Sequence, residues 1–223
     1  MNEASKTLRI WAPVERALLS GKDIDIGCGP DPITHDVQRF DVDRGDANQI
    51  TKYVKEQFDF VFSSHCLEHM KEPMKALHEW WKLVKPGGHL IFIIPDEDLY
   101  EQGIFPSRFN LDHKATFTVS KARSWSPVSI NVLDLALSLR NSQLVSLVLQ
   151  DHNYNRRLLK HGPGNPLVRL LRLVYNADFG LKYRFGFGIP GLGQMLSLWT
   201  GRDQSYRPDV LAQIQCIVKK MAD

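Results

Sequence analysis

Apolar and polar positions change period along this chain in a repeating way. Residues 8–20 carry helical spacing, with Pro13 suited to a first helical turn. Asp23–Ile26 is a short strand that runs into Gly27-Cys28-Gly29-Pro30, and residues 37–42 alternate well enough for a second strand. Residues 49–56 predict a short helix or turn. Residues 58–63 (FDFVFS) are the clearest strand, by their aromatic and β-branched content. Helical spacing returns over 66–84, restarting near Pro73. After the turn at Pro86-Gly87-Gly88, an apolar strand covers 89–94 and ends at Pro95. Residues 96–126 form a long irregular connection of functional length. Ser126-Pro127 predicts the start of a helix over 128–140, and residues 144–149 and 211–218 are two further strands. Strands alternating with helices predict an α/β protein with a mostly parallel sheet.

The 223 residues, 43% hydrophobic and 24% charged, suit one globular domain over 1–223. No apolar run is long enough to span a bilayer, and the charged N-terminal stretch lacks the apolar core of a signal peptide. Cys28, Cys66 and Cys216 form no paired framework, which suits a reducing compartment and predicts a cytoplasmic protein. Charge is unevenly spread. Residues 1–151 hold 17 Lys and Arg against 21 Asp and Glu, a balance of −4, whereas residues 152–207 hold 9 against 2, a balance of +7. The basic block therefore reads as an insertion before the last strand, with a partner surface of its own.

A strand ending in Asp25-x-Gly27-x-Gly29 lets backbone approach a ligand closely at the carboxyl edge of a sheet. Pro32 stands where a dinucleotide fingerprint needs its third glycine, and no Gly-Lys-Ser/Thr follows for a P-loop. Asp41, at the end of the second strand, is placed to accept hydrogen bonds from two ribose hydroxyls. Asp46-Ala47-Asn48 follows, within reach of an adenine edge. Solvated loop acids are the plain alternative for both.

Taken in order, DIDIGCGP, FDVDRGDANQI, FDFVFSSHCLEHM and LVKPGGHLIFIIPDEDLYEQG resemble the motifs of class I S-adenosylmethionine-dependent methyltransferases, of the broad type 11 group. The resemblance covers about residues 20–100. SRFNLDHKATFT and SWSPVSINVLDLALSL resemble members found among bacterial surface-polysaccharide enzymes. The resemblance implies a Rossmann-like sheet of seven strands with the last antiparallel, and S-adenosyl-L-methionine as cofactor. It implies that Asp25 orients the methionine amino group and that Gly27, Cys28 and Gly29 pass under the cofactor. Asp41 and Val42 then flank the ribose, Asp46 with the Ala47 backbone reads the adenine, and Ser63, Ser64 and His65 face the methionine and methyl groups.

Methyl transfer from an activated sulfonium needs an aligned acceptor, and an alcohol acceptor gains from a base. His113 is the first candidate for that base, followed by His65 and Asp96, with His69, Glu97 and Asp98 close by in sequence. His65-x-x-Glu68-His69 places three metal-ligating residue types on one helical face and formally matches an inverted zinc-protease motif. A small-RNA methyltransferase family holds a divalent ion with a comparable cluster, yet Leu-Glu-His at this place is ordinary where no metal binds, so no metal is expected. Ser63-Ser64-His65-Cys66 is not the Asn/Asp-Pro-Pro-aromatic turn of exocyclic-amine methyltransferases, and no cysteine follows a proline. Nucleic acid is therefore disfavoured as substrate. The expected activity is O-methylation of a saccharide or other small molecule. The alternatives are an NAD(P)-dependent oxidoreductase and a non-catalytic partner subunit.

Within the basic block, Arg156, Arg157, Lys160, Arg169, Arg172, Lys182 and Arg184 interleave with Leu, Tyr and Phe, and Gly186, Gly188, Gly191 and Gly193 predict mobility. A cap over the core is one reading. A lid over an anionic acceptor, or a contact with a membrane surface, is the other.

Overall fold

The computed structural model describes residues 3–107, 109–158, 166–192 and 203–222. Its centre is a six-stranded sheet built from β1 (Asp23–Ile26), β2 (Gln38–Phe40), β3 (Phe58–Ser64), β4 (Val84–Pro95), β7 (Ser142–Gln150) and β8 (Gln213–Lys220). Their order is β2-β1-β3-β4-β8-β7. The first four run parallel, and β8 is antiparallel to both of its neighbours, so the final strand has the expected direction. Six strands, not seven, make up this sheet among the described residues. The residues themselves supply six strand-like segments, and the three-residue β2 stands at the edge where one more would pair. A separate parallel pair joins β5 (Thr116–Thr118) to β6 (Ser129–Asn131).

Strand alternation divides the apolar residues between two faces. On one face, Leu90, Phe92 and Ile94 of β4 and Ile214, Cys216 and Val218 of β8 meet Leu77, Trp80 and Trp81 of helix α3 (Pro73–Lys82) and Leu135 of α4 (Val132–Leu137). On the other, Phe60, Phe62, Ile91, Ile93 and Ile217 meet Ala4 of α1 (Glu3–Ile10) and Trp11. Each fully buried Phe or Leu contributes roughly 1.5–3 kcal/mol, so the packed sheet is a firm platform for its loops.

Three expected elements differ. The first helix starts at Glu3 rather than residue 8. It stops at Ile10, and Pro13 opens a separate turn, α2 (Pro13–Arg16), because a proline nitrogen cannot continue the ladder. Pro86-Gly87-Gly88 lies inside β4, where the register against β3 shifts between Phe58 and Phe60. Ser126-Pro127 does not start a helix. Asn131 caps α4 instead, its side chain accepting from the Asp134 N–H, and residues 129–131 pair as β6.

Within the basic block, Pro166–Phe185 form one helix, α5. Leu170, Leu173, Phe185, Phe187 and Ile189 are exposed. Lys160 and Gly193 lie outside the described residues, as do the side chains of Arg169 and Arg172. No described helix is long and apolar enough to cross a membrane.

Candidate functional site

The carboxyl ends of β1 and β3 open into a cleft of about 240 Å³. Asp25, Gly27, Cys28, Gly29 and Asp31 line one side, and Ser64, His65, Glu68, His69, Tyr100, Asn110 and His113 line the other. Glu3 and Ala4 of α1 and Ser205 close over it. Helix α1 is pinned there, since the Ser5 N–H and hydroxyl both donate to Asp31 and Lys6 donates to the Ser205 carbonyl at 2.6 Å.

Asp25 is a buried carboxyl group of this cleft. Its Oδ2 accepts from the Ile33 N–H at 2.8 Å, while Oδ1 is buried and accepts no hydrogen bond among the described residues. Burial pushes its carboxyl up from 3.8 to about 7, against the lowering effect of the Ile33 bond and with a further push from nearby Asp31. An orphaned carboxylate oxygen costs stability unless a cationic or donor group meets it. Gly27 has φ +75°, and a Cβ there would lie 2.5 Å from the Cys66 side chain. Gly29 has φ +51° with nothing within 4 Å of a Cβ position, so the loop leaves open space on the side that a ligand would fill.

Asp41 stands behind that loop. Its Oδ2 accepts from the Gly29 N–H and its Oδ1 from the Val42 N–H, both at 2.7 Å. It lies at the cleft's outer rim rather than in its lining, with Val42 92% exposed beside it. Asp46 is exposed. It caps the 3₁₀ turn Ala47–Lys52 by accepting from the Asn48 backbone and side-chain amides, which hold its carboxyl below the usual range. The Ala47 carbonyl accepts from Trp80 Nε1 at 2.9 Å.

Val42, Asp46 and Ala47 are outside the cleft lining, and Ser63 and Asp96 also point elsewhere. The Ser63 hydroxyl is buried and donates to the Ile26 carbonyl at 2.9 Å, so strand pairing takes it away from the cleft. Asp96 caps the wide helical turn Glu97–Glu101 through the Asp98 and Leu99 N–H groups and faces a second cavity with Asp98, Thr118 and Lys121. Burial raises its carboxyl to about 6, but it is not in the candidate site. Ser64, by contrast, lines the cleft with its buried hydroxyl unpartnered among the described residues.

The histidines converge. The Lys114 N–H donates to the Glu68 carbonyl at 2.7 Å, which stitches the long connection to the Leu67–His69 turn and seats His113 against His69, ring centroids 5.0 Å apart. His113 Nδ1 lies 2.6 Å from Glu101 Oε1, and His69 Nδ1 lies 2.9 Å from Asp112 Oδ2. A carboxylate only accepts, so Nδ1 of each ring is the donor, and in the neutral imidazole the Nε2 lone pair is free. Glu68 is fully buried between them, and neither of its oxygens accepts a close hydrogen bond among the described residues.

His65 is held differently. It takes a φ of +52° at the end of β3, and its Nδ1 lies 3.4 Å from Glu68 Oε1. Burial opposes its charge, but the Glu68 carboxylate prevails and raises the ring to about 9, with Glu68 itself held below the usual carboxylate range. His65 Nε2 lies 3.0 Å from Gln213 Oε1. The orientation of that amide is dictated from afar. Trp11 Nε1–H, which only donates, bonds Gln215 Oε1, and Gln150 Nε2 donates to the same oxygen at 2.9 Å. Gln150 Oε1 then accepts from Gln213 Nε2 at 2.7 Å, which leaves Gln213 Oε1 to accept from His65 Nε2–H.

Sequence reasoning missed Glu101, Tyr100 and the glutamine row. Gln213-x-Gln215 in a strand otherwise apolar was the available signal for the row. Nothing in the spacing of Glu101 points to His113, because a chain reversal between them brings them together.

Residues 31–92 match the family model described as a methyltransferase domain. No curated protein sequence matches the chain. Among solved structures, the fold resembles a Bacillus halodurans protein assigned as a methyltransferase, at 14% identity over all of both chains and a TM-score of 0.51. It also resembles the Haemonchus contortus phosphoethanolamine N-methyltransferase 2, solved with phosphomonomethylethanolamine and S-adenosylhomocysteine. That match has 15% identity and a TM-score of 0.50, over 98% of this chain and 53% of the other. The chain thus shares its fold with these structures, and its segment from just after the glycine loop into the fourth strand matches the methyltransferase-domain model.

Proposed function

We propose that this protein is an S-adenosyl-L-methionine-dependent methyltransferase that methylates an oxygen of a saccharide or other small molecule. The observation that carries the reading is Asp25 Oδ1, a buried carboxylate oxygen without a protein donor, beside the open cradle at Gly29. An amino acid's ammonium group is the chemistry that such an oxygen suits. Asp41, fixed by two backbone N–H groups, keeps spare lone pairs for ribose hydroxyls. The cofactor supplies an activated methyl group; the chain aligns it and prepares the acceptor.

The acceptor belongs at the His113, His69 and Tyr100 end of the cleft. The Nε2 lone pair of His113, freed by the Glu101 bond, activates a hydroxyl there: it takes the proton itself or holds a cation that acidifies the hydroxyl. The nearby presence of two histidines and a carboxylate favours oxygen as the acceptor atom. For residues 152–207 we keep the reading of a lid or surface contact, supported by exposed Phe185, Phe187 and Ile189, by Arg184 over the Phe185 ring, and by exposed Arg157 in the same block. A cytoplasmic setting is in keeping with three buried, unpaired cysteines.

Isothermal calorimetry tests the cofactor. S-adenosylhomocysteine binds in the micromolar range and NAD(H) does not; the opposite pattern assigns the cleft to an oxidoreductase.

A further inference from the structure

We propose that Glu68, His69 and His113 form a binding site for one divalent transition-metal ion, and that this ion holds the acceptor through two adjacent oxygens. One donor atom from each residue lies within 4.8 Å of the other two, with His69 Nε2 at 4.0 Å from Glu68 Oε1. The HxxEH spacing alone did not indicate this. Folding adds His113 from 44 positions further along the chain as the third ligand.

Three independent features point to a ligand. Glu68 is fully buried and borders the cluster; Oε1 is ion-paired with His65 at 3.4 Å, and Oε2 has no partner among the described residues and is left open. Each histidine has its Nδ1–H directed at a carboxylate, Glu101 for His113 and Asp112 for His69, so both present Nε2 lone pairs toward Glu68. Carboxylate–histidine pairs of this kind orient and strengthen metal-bound imidazoles. The rings are also fixed by packing, His113 stacking on Tyr100 at 5.3 Å and meeting His69 edge-on.

Two neutral nitrogens and one oxygen suit Zn²⁺, Co²⁺, Fe²⁺ or Mn²⁺ better than Mg²⁺ or Ca²⁺, which prefer oxygen sets. Bonds of about 2.1 Å put tetrahedral donor atoms about 3.4 Å apart, so the three side chains draw together by roughly an ångström on binding. Three protein ligands leave positions open, and the site borders the cleft. An acceptor with a hydroxyl beside a second hydroxyl or a carboxylate fills them. The ion lowers the hydroxyl's pKa and its proton leaves to water. The oxygen then bonds the methyl carbon as the carbon–sulfur bond breaks, leaving a neutral thioether. Only this acceptor chemistry rests on the methyltransferase reading; the metal site stands without it.

Metal-stripped protein is titrated with Co²⁺, followed by visible absorption, and with Zn²⁺ by calorimetry. In parallel, S-adenosylhomocysteine binding is measured without metal. One Co²⁺ binds per chain, its affinity falls at least about 100-fold in Glu68→Gln and in His69→Gln, and Mg²⁺ does not compete. His69 is partly exposed, so His69→Gln reports even where Glu68→Gln unfolds. Absence of 1:1 binding, or binding that both variants leave intact, overturns the site. If S-adenosylhomocysteine binds in that case, the methyltransferase reading survives alone. If cobalt binds and S-adenosylhomocysteine does not, the site survives and that reading falls.

Discussion

His113 Nδ1 stands 2.6 Å from Glu101 Oε1, and both side chains are sealed from solvent. The pair fixes the imidazole's tautomer and aims its other nitrogen at the cleft. Removing the carboxylate leaves a buried N–H without a partner and a void beside it. Glu101→Ala therefore lowers unfolding free energy by about 2–5 kcal/mol, and Glu101→Gln, which keeps an acceptor, by less than half of that. Urea denaturation of both variants measures the difference; equal losses would mean that the hydrogen bond does not stabilise the fold.

Asp25 links pH to both stability and binding. Its carboxyl titrates near 7 in the fold against 3.8 ordinarily. The stability it contributes is complete below 3.8 and is lost as pH rises through about 7. Asp25→Asn removes that loss, so the ligand-free variant gains on wild type between pH 4 and pH 8, by on the order of 4 kcal/mol at most. The same variant loses S-adenosylhomocysteine affinity by at least about 100-fold, whereas wild-type affinity climbs with pH up to about 7. Thermal melts and calorimetry across that range give both readouts, and a variant that binds normally refutes the assignment of Asp25 to the ammonium.

The two loop glycines separate folding from binding. A methyl at Gly27 collides with Cys66, so Gly27→Ala costs several kcal/mol and is recovered mainly by shrinking residue 66 to glycine. At Gly29 only the left-handed backbone resists, which costs about 1–2 kcal/mol, while the added methyl enters the ligand's space. Gly29→Ala stays folded and loses most of its S-adenosylhomocysteine affinity. Melting temperature and calorimetry on the two variants check this; unchanged affinity in Gly29→Ala would place the ligand elsewhere.

Residues 152–207 are testable by sedimentation with vesicles. As a membrane contact, the segment binds anionic vesicles more tightly than neutral ones, and Phe185→Ser with Phe187→Ser and Arg157→Ser weakens this at least about tenfold. Equal recovery with both vesicle types removes the membrane reading and leaves the lid.

The sheet was legible because its strands announce themselves through local content. Phe58 to Ser63 and His89 to Ile94 need no long-range information, and β3 and β4 fall within a residue or a bulge of those bounds. Asp25, Gly27 and Gly29 were legible for the same reason: they follow a strand directly. Ser126-Pro127 misled, since its local helix-start pattern yields to the pairing of residues 129–131 with β5. Asp96 misled because a carboxylate after a strand serves equally as a helix cap. The Glu68, His69, His113 and Glu101 grouping depends on how the connection between β4 and β5 doubles back, which no local pattern records.

The amide row from Trp11 to Gln213 means that the oxygen facing His65 Nε2 is set by an indole far from the cleft. Replacing Trp11 with phenylalanine alters no atom of the cleft wall, yet it removes the donor that fixes the Gln215 oxygen and leaves only the long Glu15 contact at 3.5 Å to orient that amide from outside the row. With the row turned over, an amide N–H would face the charged ring's own Nε2–H, and the ion pair of His65 with Glu68 would lose its second anchor.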